Sequence, residues 1–272
     1  MTAQAVRAPG APVRTADVSF RHVLASEWVK FWSLRSTLLT LLATVAIMIG
    51  IGALAAWAVD SSWDDLNAAE RATFNTIDPA LVGVNLAQLA VGVLGVLMVT
   101  GEYATGMIRA TLTAVPTRLP VLLAKAGLYA VVTFVVTAAA SLVAFLVAQP
   151  FFGSRGVGLG VAELPGALLG TAGYLTAIAV LAVALGFLLR STAGGIATLF
   201  GLLLVVPPIA HFLPASWQDH LLPYLPNYAG TAVTTVNVSP ELLSPTGGAL
   251  VLAAWALVPL AGAAVALRRR DA

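Results

Sequence analysis

The chain has 272 residues, of which 59% are hydrophobic and 10% charged, with a formal net charge of +2 and a mean hydropathy of +0.93. A water-soluble domain carries about 25% charged residues, so this composition excludes a soluble globular fold and makes lipid the main solvent. The lack of cysteine excludes disulfides, thiolate metal sites and cysteine nucleophiles.

Residues 1–17 read as a disordered cytoplasmic tail. Ala, Pro, Val and Arg alternate there without the apolar core of a signal peptide. From 18 to 36 the pattern turns helical. Phe20, Leu24, Trp28 and Phe31 fall on one face, and Ser19, His22, Ser26, Lys30 and Ser33 on the other. Two readings stand for this basic amphipathic helix. With Trp28 and Trp32 it suits the headgroup layer as an interfacial element; alternatively it packs on a partner in the cytoplasm.

Crossing the hydrocarbon takes about 20 apolar residues in a helix. Six stretches qualify, near 38–59, 80–100, 121–148, 166–189, 196–212 and 247–267, the fifth interrupted by Pro207-Pro208. The fold class predicted is therefore an all-α polytopic membrane protein, a single transmembrane domain over 18–272. With the N-terminus inside, twelve of the fourteen Lys and Arg fall on the cytoplasmic side, leaving only Arg71 and Arg155 outside. Six spans then return the C-terminal Arg268-Arg269-Arg270 run to the cytoplasm. Asp60, Asp64, Asp65, Glu70 and Asp78 gather in the first outer loop, read either as a solvated loop or as a cation-attracting vestibule.

The connection 101–118 is the most informative stretch. Glu102 just past the second span would face the negative end of that helix's dipole if the helix continued. A break at Gly101, with Glu102 opening a second helix that Pro116 stops, removes the conflict. Arg109 then falls two turns on, on the same side as Glu102. The result is a short helix on the cytoplasmic surface, the alternative being an ordinary loop. Asn85 and Gln88 lie three apart in the second span and share a face. They either line a translocation path or hydrogen-bond a neighbouring helix. His211 reads as interfacial. No G-x-x-x-x-G-K-[ST], no H-E-x-x-H and no Ser-His-Asp set is present. The basic residues sit where topology demands rather than in a nucleic-acid patch. No catalytic or metal-binding residue is predicted, and the chain is read as no enzyme by itself.

These features together resemble the permease subunits of type-2 ABC transporters, a group rich in bacterial exporters. The likeness is carried by Ser26-Glu27-Trp28-Val29-Lys30 before the first span and by Gly101-Glu102 with Arg109 and Pro116-Thr117-Arg118. The Arg190-Ser191 turn after the fourth span and the closing basic run add to it. The resemblance implies that residues 18–36 form an "elbow" helix carrying Trp28, Lys30, Phe31 and Trp32. It also implies that 101–118 is the coupling element docking on a separate cytoplasmic ATPase, with Gly101, Glu102, Gly106, Arg109 and Arg118 on it. ATP and Mg would belong to that ATPase and no cofactor to this chain; a second permease copy or a sister chain would complete the membrane part. The region 213–246, with Pro214, Trp217, Pro223, Pro226 and Asn227, resembles the family's re-entrant segment, or is a proline-rich outer loop. The function so implied is export of a drug, peptide or lipid-like substrate across the bacterial cytoplasmic membrane. The alternatives are an ion-gradient-driven transporter and a membrane anchor or assembly protein.

Overall fold

The structure, a computed structural model, describes residues 19–237, 239 and 241–269. The tail read at 1–17 and Arg270 of the closing run lie outside them. The described residues form helices and connections without a strand. In chain order the helices are α1 (Phe20–Ser33), α2 (Arg35–Ser61), α3 (Ala68–Thr73), α4 (Ile77–Leu81), α5 (Val84–Ala104), α6 (Met107–Ala114), α7 (Leu119–Ala148), α8 (Leu164–Leu189), α9 (Thr192–Phe200), α10 (Val206–Ala210), α11 (Ala215–Leu221), α12 (Pro226–Thr234) and α13 (Pro245–Arg269). Six helical stretches are long and apolar enough to cross a membrane: Arg35–Ser61, Ile77–Ala104, Leu119–Arg155, Leu164–Leu189, Thr192–Ala210 and Pro245–Arg269.

Contacts across the chain fix the direction of each stretch. At one end Arg118 Nη1 donates to the Leu267 carbonyl at 3.0 Å, and Thr192 Oγ1 donates to Thr100 Oγ1 at 2.8 Å. At the other, Arg155 pairs with Asp60, the Val236 N–H donates to Asp78 Oδ1 at 2.9 Å, and Asn237 Nδ2 donates to the Thr73 carbonyl at 2.8 Å. The six stretches therefore alternate in direction. One end collects Arg35, Arg109, Lys125, Arg190 and Arg268, the other most of the carboxylates. We call them the basic and acidic ends.

Helix α8 lies at the centre, packed on α5, α7, α12 and α13. Its run of Ala, Gly and Leu permits this, because small residues let backbones approach where lipid offers no hydrophobic drive. A Cβ built on Gly186 of α8 would lie 2.8 Å from the Val99 Cβ of α5, and one on Gly95 2.8 Å from the Ala182 Cβ. The α5–α8 seam is closed at both points.

The fifth stretch changes character before its prolines. Residues Gly201–Val205 widen into a π-helix, the Val206 N–H donating to the Gly201 carbonyl. The Leu203 carbonyl would receive its bond from residue 207 in an α-helix or 208 in a π-helix, and both are proline, which has no N–H. Asn227 Nδ2 supplies the missing donor at 2.6 Å. Asn227 opens α12, and Trp255 Nε1 holds the neighbouring Tyr224 carbonyl at 2.8 Å. Trp255 lies ten residues into α13, about 15 Å along it at 1.5 Å per residue. Helix α12 thus starts near half the height of the bundle and climbs to the acidic end beside α8 and α13. Between Ala210 and Leu222 the chain runs exposed, Phe212 and Trp217 facing out and α11 burying no residue, and it turns into the protein only at Leu222, Pro223 and Pro226, where the irregular backbone finds partners.

Candidate functional site

Helix α5 does not break at Gly101. It runs to Ala104, with the Thr105 N–H donating to the Gly101 carbonyl at 3.2 Å. The stop is Gly106, whose φ of +72° is a left-handed turn that favours glycine. Only then does α6 begin, so Glu102 closes a membrane helix rather than opening a surface one. The dipole argument behind the expected break is worth about 0.3–1 kcal/mol. What overrides it is non-local: Glu102 Oε1 accepts from Lys125 Nζ at 2.9 Å and from Lys30 Nζ at 3.1 Å. A buried charge pair broken on one side costs about 3–5 kcal/mol, several times the dipole penalty.

These contacts belong to a four-membered ion cluster. Glu27 on α1 accepts from Lys125 on α7 through Oε2 at 2.5 Å, and from Lys30 one turn along through Oε1 at 2.8 Å. Lys30 also donates to Thr111 Oγ1 of α6 at 3.2 Å. Glu27 and Lys125 are each 2% exposed and Glu102 9%. Two carboxylates and two ammoniums make the cluster neutral, the condition on which charges survive such burial. Burial alone would push the Glu27 carboxyl up; Lys125 and Lys30 beside it outweigh that and hold it below its usual range. Burial likewise presses Lys30 down, and Glu27 and Glu102 outweigh it to hold the ammonium above its usual range. Four helices, α1, α5, α6 and α7, are thereby tied at one point of the basic end.

Helix α6 is two-faced. Ile108 and Leu112, with Val115 just beyond, turn into the core around Val121, Leu122 and Phe187, whereas Arg109, Ala110, Thr113 and Ala114 face outward. Arg109 and Glu102 therefore lie on two helices, one exposed and one buried, and not on one side of a single helix as the spacing predicts. Gly101 is exposed on α5. Arg118, in a left-handed turn at φ +56°, reaches the carbonyl end of α13. Arg190 lies over the Tyr103 ring, its Cζ 5.3 Å from the centroid. On α1, Trp28 and Trp32 are exposed and meet edge to face with centroids 5.5 Å apart. Phe31 is not on their face: it is buried against Tyr129, because the inward stripe is Val23, Glu27 and Phe31, spaced by four.

Asn85 and Gln88 separate in the same way. Gln88 is buried and accepts a hydrogen bond from the Tyr174 hydroxyl, which also lies 3.2 Å from Asn227 Oδ1. Asn85 instead lines a cavity of about 380 Å³ between α4, α5, α8 and α12. The sequence pattern names Glu27 only as part of the motif before the first span and Asn227 only within 213–246, and it joins neither of them, nor Lys125 and Tyr174, to the partners seen here. Lys125 carries a usable signal, since it stands one turn inside an apolar run where a lysine requires a counter-charge. Tyr174 is a single polar residue in an apolar segment, and Asn227 follows a proline; neither announces its partner.

Fold and composition place the chain among multi-pass helical membrane proteins. No protein-family model matches it, and no curated protein does.

Proposed function

We propose that the chain is the membrane-spanning permease subunit of an ATP-driven exporter of the type-2 ABC class. It would move a hydrophobic or amphipathic substrate across the bacterial cytoplasmic membrane with energy from a separate ATPase, to which ATP and Mg belong, and with a second permease alongside. The observation that carries the reading is α6. It is a short helix between two long ones, with an outward Arg109 face for a partner and an inward Ile108–Leu112 face seated in the core. A push on the outer face reaches α5 through the Gly106 turn, α7 through the core, and α1 through the Thr111–Lys30–Glu27 chain of bonds. Because the ion cluster interlocks α1, α5 and α7, these helices tilt together rather than slide past one another. Helix α1, with Trp28 and Trp32 outward, lies as the elbow in the headgroup layer. Glu102 holds the coupling unit together from within, and the contact with the ATPase falls to Arg109 and its neighbours.

A gradient-driven transporter needs ionisable groups deep in its spans. The cluster instead sits near one end, Lys125 being six residues into α7, about 9 Å. The test is purification of the chain from native membranes in mild detergent. A stoichiometric soluble subunit with a P-loop and vanadate-sensitive hydrolysis is expected, and Arg109→Glu should release it while the chain stays in the membrane. Purification without such a subunit, with transport that collapses with the proton or sodium gradient, overturns the proposal.

A further inference from the structure

The cavity at the acidic end has two chemically distinct parts. Its floor is polar and already engaged: Tyr174 and Asn227 line it, the Tyr174 hydroxyl is bonded to Gln88 behind it and lies 3.2 Å from Asn227 Oδ1, and Asn227 Nδ2 is taken by the Leu203 carbonyl. One wall is apolar, formed by Ala55, Pro79, Leu81, Val82 and Val84, and the opposite side carries Asn85, Thr231, Thr234 and Thr235. Among the described residues lining it, Asp78 is the only charged group. Asp78 holds the chain end of α12 through the Val236 N–H on Oδ1, and Asn75 Nδ2 on Oδ2, both single bonds of 2.8–2.9 Å. A carboxylate accepts about four hydrogen bonds, so each oxygen retains acceptor capacity. No cation among the described residues faces it. The two arginines of this end are engaged elsewhere, Arg155 with Asp60 and the Trp63 ring, Arg71 with the Asp64 carbonyl and the same ring.

The surroundings carry the same sign. Beside those two arginines, the described residues of this end include Asp60, Asp64, Asp65, Glu70, Asp78, Glu163, Asp219 and Glu241. A second cavity of about 430 Å³ shares Thr231 with the first and brings Asp219 and Glu241 to its lining. A cleft with one sign of charge concentrates the opposite ion, and a cavity with an apolar wall and one carboxylate orients whatever enters.

We infer that this cavity binds an amphiphilic organic cation, its ammonium on Asp78 and its apolar body against Ala55, Leu81 and Val82. The inference deepens the export reading by naming the substrate class, and it rests on that reading only in taking the bound cation as the transported molecule. A volume of about 380 Å³ suits one small drug-sized molecule and excludes a folded peptide. Thr231 then marks the exit, where the first cavity passes the cation to the second and its two further carboxylates.

The test is equilibrium binding to the full chain in phosphatidylcholine nanodiscs, with empty discs subtracted. Three probes share one fluorophore: dansylcadaverine, its neutral N-acetyl derivative, and the anionic dansyl-6-aminohexanoate. The cation is expected to bind at least about tenfold tighter than the other two. Asp78→Asn should lower its affinity by about tenfold, Thr231→Phe should weaken binding at least as much by intruding on the cavity at its exit, and Asp65→Asn, an equal loss of charge outside it, should change little. Since Asp78→Asn also touches the Val236 bond, Thr231→Phe with an unaltered elution profile decides the location. Equal binding of the cationic and neutral probes overturns the inference, as does full binding by Thr231→Phe. Cation binding without any co-purifying ATPase would keep the site and remove the exporter; an ATPase without cation binding would do the reverse.

Discussion

Lys125→Met removes one of the two most enclosed charges of the ion cluster while keeping the length of the side chain. Glu27 Oε2 loses its 2.5 Å donor and Glu102 Oε1 one of two donors, since Lys30 still reaches it at 3.1 Å. Two charge-assisted bonds are worth about 1.5–3 kcal/mol each. A buried pair stripped of one partner costs about 3–5 kcal/mol. The remaining Lys30 bonds pull the value to the lower part of that range, so the expected loss is about 3 kcal/mol. Adding Glu27→Gln restores neutrality and leaves Lys30 paired with Glu102. The double variant should be less destabilised than the sum of the two single changes by about 2 kcal/mol. Reversible unfolding in mixed detergent micelles, followed by tryptophan fluorescence, measures both, with Trp28 and Trp32 of α1 close by as reporters. A Lys125→Met variant within about 1 kcal/mol of the wild type would refute the argument, because that is the range of exposed pairs. Strict additivity of the two changes would refute it as well.

Other consequences are as direct. The Glu27 carboxyl is held below its ordinary 4.5, so its pairing contributes fully above that value and is lost as the pH falls through the lower folded value. Lys30 is held above its ordinary 10.5, so its contribution is complete below that value and is lost as the pH rises through the higher folded one. Unfolding midpoints measured against pH should show a plateau between these limits, and Glu27→Gln should lower the plateau and flatten its acid limb. Asn227→Leu leaves the Leu203 carbonyl without a donor and should cost about 1–3 kcal/mol in the same unfolding assay. Adding Pro207→Ala, which returns an N–H to the helix, should recover part of it; no recovery would show that the carbonyl is not the cause. Gly186→Ala sets a methyl 2.8 Å from the Val99 Cβ and should destabilise by about 1–3 kcal/mol, an increment that should shrink in a Val99→Gly background, where that Cβ is gone.

What can be read from the chain alone divides along the range of the interactions. The six apolar stretches are local facts of composition, and six long apolar helices are what the structure contains. The segregation of Arg and Lys along the sequence becomes the basic and acidic ends once the spans alternate. The end of α5 is misplaced by an argument that weighs Gly101 and Glu102 against a helix dipole alone. The decisive partners, Lys125 and Lys30, stand 23 and 72 residues away, and nothing in the local pattern names them. Periodicity sets Phe31 on the wrong face of α1 for a related reason: a narrow apolar stripe can be drawn two ways on a helix with both lipid and protein beside it. Gly106 is visible in the sequence only as a glycine, and its left-handed φ assigns it the turn. The prolines near 207 and 226 announce irregular backbone correctly. That one asparagine mends the damage of two prolines is beyond any periodicity.

That repair has a consequence for how the chain is made. Synthesis delivers Leu203 to the membrane before Asn227, which lies 24 residues further along. Until α12 arrives, the fifth stretch carries a carbonyl that no proline can satisfy. In hydrocarbon each such group costs several kcal/mol, on the order of 3–5, roughly what breaking a buried ion pair on one side costs. Lys125 meets no such delay, because both its carboxylates precede it in the sequence. The ion cluster can thus close as the N-terminal half emerges. The fifth stretch has its donor only once Asn227 has followed it, so this contact closes later in synthesis than the ion cluster.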